Sequence, residues 1–268
     1  MKAFMDKDFL LETETAKHLF HDYAESLPLV DYHCHIPPQE IYEDRRFDDL
    51  AQVWLGGENP DGTYFGDHYK WRLMRSNGVS EDYVTGSKPG LERLEKFAEA
   101  VEMAIGNPMY HWCNLELRKF FDYEGYLSPK SVKEIWDVTG EKLRHDPDLT
   151  VRGLIRKANV AFIGTTDDPI DSLEWHEKIA NDPTITFQVC PSFRPDRAVN
   201  INKAGFADYM GKLAASVGKT ALTSAQEVCD ALVERLEFFA KMGCRASDHG
   251  LDYVPFRACT MEEADTAF

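Results

Sequence analysis

The stretch VDYHCHIPP, residues 30–38, places two histidines one residue apart at the end of an apolar run. An apolar run with a polar exit predicts a buried strand that ends near these histidines. Side chains two residues apart in a strand project from the same face, so His33 and His35 should face one point while Cys34 points into the packing layer. Two imidazoles on one side of a strand end can chelate a single metal ion.

An HxH pair alone is weak support for a metal site, because two unrelated histidines in a turn give the same pattern. Here the pair closes the first predicted strand of a chain in which strands and helices alternate, and its exit is polar. This context favours the metal over the turn.

Four runs in the chain predict strands, and each ends in polar or ionisable residues. They cover residues 28–33, 159–164, 185–191 and 243–247. Alternation of such runs with helical patterns predicts a parallel sheet with right-handed crossovers. Polar carboxyl ends are expected of barrel strands, where the active site is built. No GxGxxG or GxxxxGK[ST] motif follows a strand, which argues against a nucleotide site.

The remaining segments are predicted to be helical. Residues 12–25 show helical spacing, with Thr13 or Thr15 as the N-cap. Residues 40–157 contain helical patterns and no clear strand. The predicted domains are an N-terminal helical segment at 1–27, a partial barrel at 28–39 and 158–268, and a helical insertion at 40–157.

Composition restricts the class of protein. The 268 residues are 43% hydrophobic and carry a net charge of −16, which argues against binding to nucleic acid. No apolar run reaches transmembrane length, and the first residues are acidic where a signal peptide is apolar. The six cysteines are scattered without a CxxC pair. We therefore expect a cytoplasmic protein with reduced thiols and no membrane association.

Five motifs resemble the uronate (glucuronate) isomerase family of the amidohydrolase superfamily, in the order in which that family has them. They are DYHCHIPP (31–38), GDHYKWRLMRSNGV (66–79), VAFIGTTDDP (160–169), CPSFRPD (190–196) and RASDHGLD (245–252). The resemblance spans essentially the whole chain. It implies an α/β fold, a (β/α)8 TIM-type barrel, with a large helical insertion after strand 1 that caps the barrel mouth.

The resemblance also implies an activity and a set of site residues. The family interconverts D-glucuronate with D-fructuronate and D-galacturonate with D-tagaturonate, using one divalent metal ion, commonly zinc. The implied roles are metal ligation by His33 and His35, substrate contact by His68, Tyr69 and His249, carboxylate binding by Arg194, and a polar position at the site for Asp248. The catalytic base is left open among Tyr69, Asp248, metal-bound water and an aspartate that the family places on its last strand.

The chemistry of the residues agrees with this activity. Moving a carbonyl from C1 to C2 needs a Lewis acid and a base that shuttles a proton. An Arg fork suits the carboxylate of a uronate. Simpler alternatives remain: Arg194 as a surface partner of Asp196, and His68 and Tyr69 on an ordinary amphipathic helix with Tyr69 packed. Asp168 is expected to start a helix, and Asp167 is left open.

The chain departs from the family in length, because a barrel needs eight strands and only four are predicted. The last-strand aspartate is not among the 268 residues. We therefore expect the N-terminal part of a uronate isomerase, inactive at this length. The alternatives are a metal-dependent hydrolase of the same superfamily, disfavoured because no predicted strand ends in Lys, and a non-catalytic fragment. Histidines 18, 21, 111, 145 and 176 receive no role, and the possibility of a homo-oligomer is left open.

Overall fold

The computed structural model describes residues 4–58, 64–254 and 256–268. These residues form two compact units. The helical unit comprises residues 1–27 and 44–158, and the sheet unit comprises residues 28–43 and 159–268.

The secondary structure of the described residues is mostly helical. The helices are α1 Glu14–Leu19, α2 Pro38–Tyr42, α3 Leu50–Leu55, α4 His68–Ser76, α5 Glu81–Val84, α6 Gly90–Glu102, α7 Pro108–Phe121, α8 Val132–His145, α9 Val151–Lys157, α10 Glu174–Ala180, α11 Asp196–Val199, α12 Phe206–Ser216, α13 Ala225–Lys241 and α14 Met261–Ala267. The strands are β1 Leu29–Asp31, β2 Gly57–Glu58, β3 Tyr64–Phe65, β4 Val160–Asp167 and β5 Gln188–Phe193. None of these helices combines the length and apolar character that crossing a membrane requires.

The core of the helical unit is built around α6. This helix buries Leu94, Phe97, Ala98 and Val101, a spacing that places them on one face. The face packs against α3, α4, α7 and α8. Buried Arg93 donates to the carbonyls of Leu55, Gly56 and Val84 and so ties the ends of α3 and α5 to α6.

The sheet unit contains a three-stranded parallel sheet in the order β1-β4-β5. The α/β class with a parallel sheet is therefore confirmed. The fourth predicted strand, 243–247, is wrong, because this segment forms only one parallel bridge, from Phe193 to Ser247. Its start closes the end of α13 instead: Gly243 has φ +96°, and the N–H of Cys244 donates to the carbonyl of Phe239.

One further expectation for the helical regions was wrong, and another was confirmed in part. A short β2–β3 hairpin occurs in the segment that was predicted to contain no strand. The predicted helix at 12–25 is divided into α1, capped by Thr13, and a π-helical turn at Phe20–Ala24. Its apolar face is not buried, since Leu19 is 56% exposed and Tyr23 61% exposed.

Candidate active site

The two histidines of the HxH motif lie just after β1, in a segment whose backbone is still hydrogen-bonded to β4. The N–H of Cys34 donates to the carbonyl of Gly164 at 2.8 Å, and the Cys34 side chain is buried. A Cβ at position 164 would lie 2.7 Å from the carbonyl oxygen of Tyr32, so glycine permits this close approach. Burial raises the pKa of Cys34 to about 11, which keeps its thiol protonated between the histidines.

His33 and His35 turn their rings toward each other. Their Nε2 atoms are 3.1 Å apart and the ring planes are perpendicular. Two nitrogens bound to one zinc ion at a tetrahedral angle lie roughly 3.3 Å apart, so the pair fits a shared ion. The same separation also fits a hydrogen bond between the rings. Among the described residues no group of three or more His, Cys, Asp or Glu side chains forms a metal cluster.

Asp248 connects the histidines to the arginine. The single bridge to β5 places it, since its N–H donates to the carbonyl of Phe193 at 3.3 Å. Its Oδ2 lies 3.3 Å from Nδ1 of His33 and 3.5 Å from Nη1 of Arg194. Its Oδ1 is buried and has no hydrogen-bond partner among the described residues. A buried acceptor of this kind suits a cation, a hydroxyl group or a transferred proton.

Arg194 follows β5, and its guanidinium lies between two carboxylates. Its Nε donates to Oδ2 of Asp196 at 2.7 Å, and this bond raises the pKa of Arg194. The Arg194–Asp196 pair of the simpler alternative therefore exists. Because Nη1 also faces Asp248, the pair belongs to the same cluster as His33. His249 joins this cluster through Nδ1, which lies 3.2 Å from Oδ1 of Asp196.

A buried polar chain beneath the strand ends was missed by sequence reasoning. The Thr165 hydroxyl lies 2.6 Å from Oδ2 of Asp167 and 2.8 Å from Nε2 of His176. Burial raises the pKa of Asp167 to about 6 and lowers the pKa of His176 to about 4. The sequence offered one signal for the burial of His176. This histidine lies three residues before the apolar Ile179 on α10, and this spacing places both on the same face of the helix, which is buried.

Asp168 does not start a helix as expected. Helix α10 begins at Glu174, and Leu173 is its N-cap residue. Asp168 instead stabilises the turn after β4, because its Oδ1 accepts the N–H of Ile170 and the hydroxyl of Tyr209.

His68 and Tyr69 form the start of α4 in the helical unit. Asp67 is the N-cap, and its side chain accepts the N–H groups of Tyr69 and Lys70. The two rings lie 4.2 Å apart between centroids. Tyr69 is 57% exposed, so the alternative in which it packs into the core is wrong.

The five histidines that received no role from the sequence all have polar or aromatic neighbours. Their contacts are His18 with Asp22, His21 with Asp8 and Glu25, His111 with the rings of Phe4 and Phe9, His145 with Glu141, and His176 with Thr165. Four of these five histidines make their contacts at or near the surface, and among the five only His176 is part of a buried polar chain.

The chain is similar to known proteins along its whole length. A family model described as glucuronate isomerase matches residues 1–268. Curated uronate isomerases from Lachnoclostridium phytofermentans and Lachnospira eligens are 53% and 51% identical over 100% of the chain, which corresponds to 55% of each relative. The chain therefore spans about half the length of these relatives.

Solved structures give the same result for the fold. The crystal structure of uronate isomerase from Thermotoga maritima matches with a TM-score of 0.82 and 35% identity, over 92% of this chain and 52% of that one. Glucuronate isomerase from Caulobacter crescentus matches with a TM-score of 0.83 over 98% of this chain and 55% of that one; at 23% identity this likeness shows the fold alone.

Proposed function

The chain belongs to the glucuronate isomerase family, and on that premise we propose that the protein is an aldose–ketose isomerase of hexuronates. The substrates would be D-glucuronate and D-galacturonate, and the products D-fructuronate and D-tagaturonate. The observation that carries this proposal is that Asp248 contacts both His33 and Arg194, which joins a candidate metal pair to a candidate carboxylate receptor.

We also propose that the parallel sheet is the first part of a (β/α)8 barrel. The order β1-β4-β5 and the parallel bridge from Phe193 to Ser247 support a sheet that continues in one direction. Residues 44–158 of the helical unit would correspond to the insertion after the first strand. In the sheet unit none of the three strands ends in Lys, which gives the two-metal hydrolase alternative no support.

His33 and His35 would hold one divalent metal ion through their Nε2 atoms. Neutral imidazoles are ligands that suit zinc, and the separation of these two nitrogens fits a shared ion. When bound, the ion supplies the Lewis acidity that acidifies the C–H next to the sugar carbonyl. Asp248, whose Oδ2 lies 3.3 Å from Nδ1 of His33, would accept a hydrogen bond from that nitrogen and so orient the ring.

The other residues bind the substrate and move its protons. Arg194 receives the uronate carboxylate, because a guanidinium matches a carboxylate with two parallel hydrogen bonds. Isomerisation removes a proton from C2 and delivers one to C1, so one group must hold that proton in between. Among the described residues, Oδ1 of Asp248, buried and without a hydrogen-bond donor, and Tyr69 are candidates for this group. The other sequence-based candidates stay open. His68 and His249 would contact the substrate's hydroxyl groups.

All six cysteines are free thiols, which supports a reducing, cytoplasmic location. The partner is a small hexuronate.

A direct assay tests the proposed function. Residues 1–268 alone are expected to be inactive and span about half the length of their relatives, so this assay and the later kinetic tests use protein extended to the relatives' full length. This protein is incubated with D-glucuronate or D-galacturonate and added zinc, and ketose formation is followed. We expect turnover that is lost in a His33→Ala, His35→Ala double variant, with Asp208→Asn on the exposed face of α12 as the control. Absence of turnover with both sugars, in protein that retains zinc, would refute the assignment.

A further inference from the structure

Asp196, the first residue of α11, makes three contacts at the candidate site. Its Oδ2 accepts Nε of Arg194 at 2.7 Å and the N–H of Gly250 at 2.8 Å. Its Oδ1 lies 3.2 Å from Nδ1 of His249. One carboxylate therefore joins the end of β5 to the segment at 248–250.

The contacts of Asp196 are not explained by its own helix. The N-cap of α11 is Pro195, which has no side chain that can cap, and the helix has four residues. The Asp196 side chain is only 17% exposed, whereas ion pairs that contribute little are those in open solvent. Burial would raise the pKa of Asp196, but the hydrogen bonds from Arg194 and Gly250 outweigh it and lower the pKa. The carboxylate is thus ionised near neutral pH.

The bond to Nε fixes the plane of the Arg194 guanidinium. With Nε held by Asp196, Nη1 faces Asp248 at 3.5 Å. On its other side, a Cβ at position 250 would lie 2.3 Å from Nη2, so the guanidinium occupies space that only glycine leaves open. Two independent features, the carboxylate of Asp196 and the missing side chain of Gly250, therefore determine where Arg194 lies.

We propose that Asp196 is a positioning residue that fixes Arg194 and the 248–250 segment relative to each other, and thereby sets the affinity for the substrate's carboxylate. The inference rests on the proposed isomerase function. Asp196 acts through Arg194, so it affects substrate binding and not the proton transfer. Weakening the contact between Asp196 and Arg194 should therefore change KM far more than kcat.

The test is Asp196→Asn, which keeps the shape of the side chain and removes its charge. We expect KM for D-glucuronate to rise about 10- to 100-fold, as for the loss of a charge-assisted hydrogen bond, with kcat changed less than about threefold. The matched control is Asp208→Asn, an exposed aspartate of the same unit. In an Arg194→Lys background the additional effect of Asp196→Asn should be clearly smaller, because residues that act through one another are not additive.

Failure of the proposed function and failure of the positioning role give different results. Without wild-type turnover the proposed function fails. With wild-type turnover, an Asp196→Asn variant whose KM is within about twofold of wild type, or whose kcat falls as much as KM rises, overturns the positioning role. If Asp196→Asn lowers the melting temperature too far for kinetics, Gly250→Ala decides, since its Cβ would lie 2.3 Å from Nη2 of Arg194 and 3.2 Å from Oδ2 of Asp196 and so disturbs the contact between them while keeping both side chains. A raised KM in that variant supports the proposal, and an unchanged KM overturns it.

Discussion

Oδ2 of Asp248 lies 3.3 Å from Nδ1 of His33, on the side of the imidazole opposite the Nε2 atom that faces His35. A carboxylate at Nδ1 keeps the proton on that nitrogen and leaves the Nε2 lone pair for a metal ion. We expect Asp248→Asn to weaken zinc binding about 10- to 100-fold, the usual effect of losing such a partner. Competition with a chromogenic chelator measures it, with Asp208→Asn as control. Equal zinc affinity in both variants would show that Asp248 does not orient His33.

Arg194→Lys tests the carboxylate receptor. The substitution keeps the charge and removes the fork, together with the Nε that Asp196 holds at 2.7 Å. We expect KM for both uronates to rise at least about tenfold, as for a lost charge-assisted hydrogen bond. Steady-state kinetics decide it, with Arg156→Lys, in α9 of the helical unit, as the matched control. Unchanged kinetics would mean that Arg194 serves only its pairing with Asp196.

Much of the candidate site could be predicted because it lies in local sequence. The period-two placement of His33 and His35 is consistent with their converging nitrogens, because Cys34 remains paired with β4 beyond the end of β1. The parallel sheet followed from alternating apolar runs. The proximity of Arg194 and Asp248 was expected only in general terms, since carboxyl ends of parallel strands meet at one edge.

The failures depend on contacts between distant segments. Residues 243–247 have the composition of a strand, but the backbone of Gly243 and Cys244 closes α13, which leaves only one bridge to β5. The partners of His176 lie on β4, and only the packing of α10 against the sheet brings them together. Leu19 and Tyr23 have helical spacing, yet spacing cannot indicate whether another element covers that face.

The buried pair Asp167 and His176 predicts opposing pH dependences. Because the pKa of Asp167 is raised to about 6, the native state holds this proton more tightly than the unfolded state, and its contribution to stability falls as pH rises from about 4 to 6. Because the pKa of His176 is lowered to about 4, its contribution falls as pH drops through the same range. Each shift corresponds to about 3 kcal/mol, so the two largely cancel in the wild type.

Removing either Asp167 or His176 should reveal the pH dependence of the unfolding free energy that the other residue causes. We expect the unfolding free energy of His176→Gln, relative to wild type, to fall between pH 4.5 and pH 6.5. That of Asp167→Asn should rise over the same range. Urea unfolding at several pH values measures both, and subtraction of the wild-type curve removes the other titrating groups. Two variants with the wild-type slope would contradict the assignment of these shifts.

The start of α4, which carries His68 and Tyr69, depends on Asp67 for its stability. Oδ1 of Asp67 caps the helix, and its Oδ2 accepts Nζ of Lys70 at 2.8 Å, with the Lys70 side chain buried. Asp67→Ala should lower the unfolding free energy by about 2–4 kcal/mol, since it removes a cap and leaves a buried ammonium without this carboxylate. Asp67→Asn keeps the cap and should cost less. The lost cap accounts for about 1 kcal/mol of this decrease. Adding Lys70→Met to Asp67→Ala should recover most of the remaining decrease in unfolding free energy, because an apolar side chain needs no counter-charge. Urea unfolding followed by tryptophan fluorescence measures all three. A double variant no more stable than Asp67→Ala would show that the buried charge is compensated elsewhere, with the nearby Glu116 carboxylate as its source.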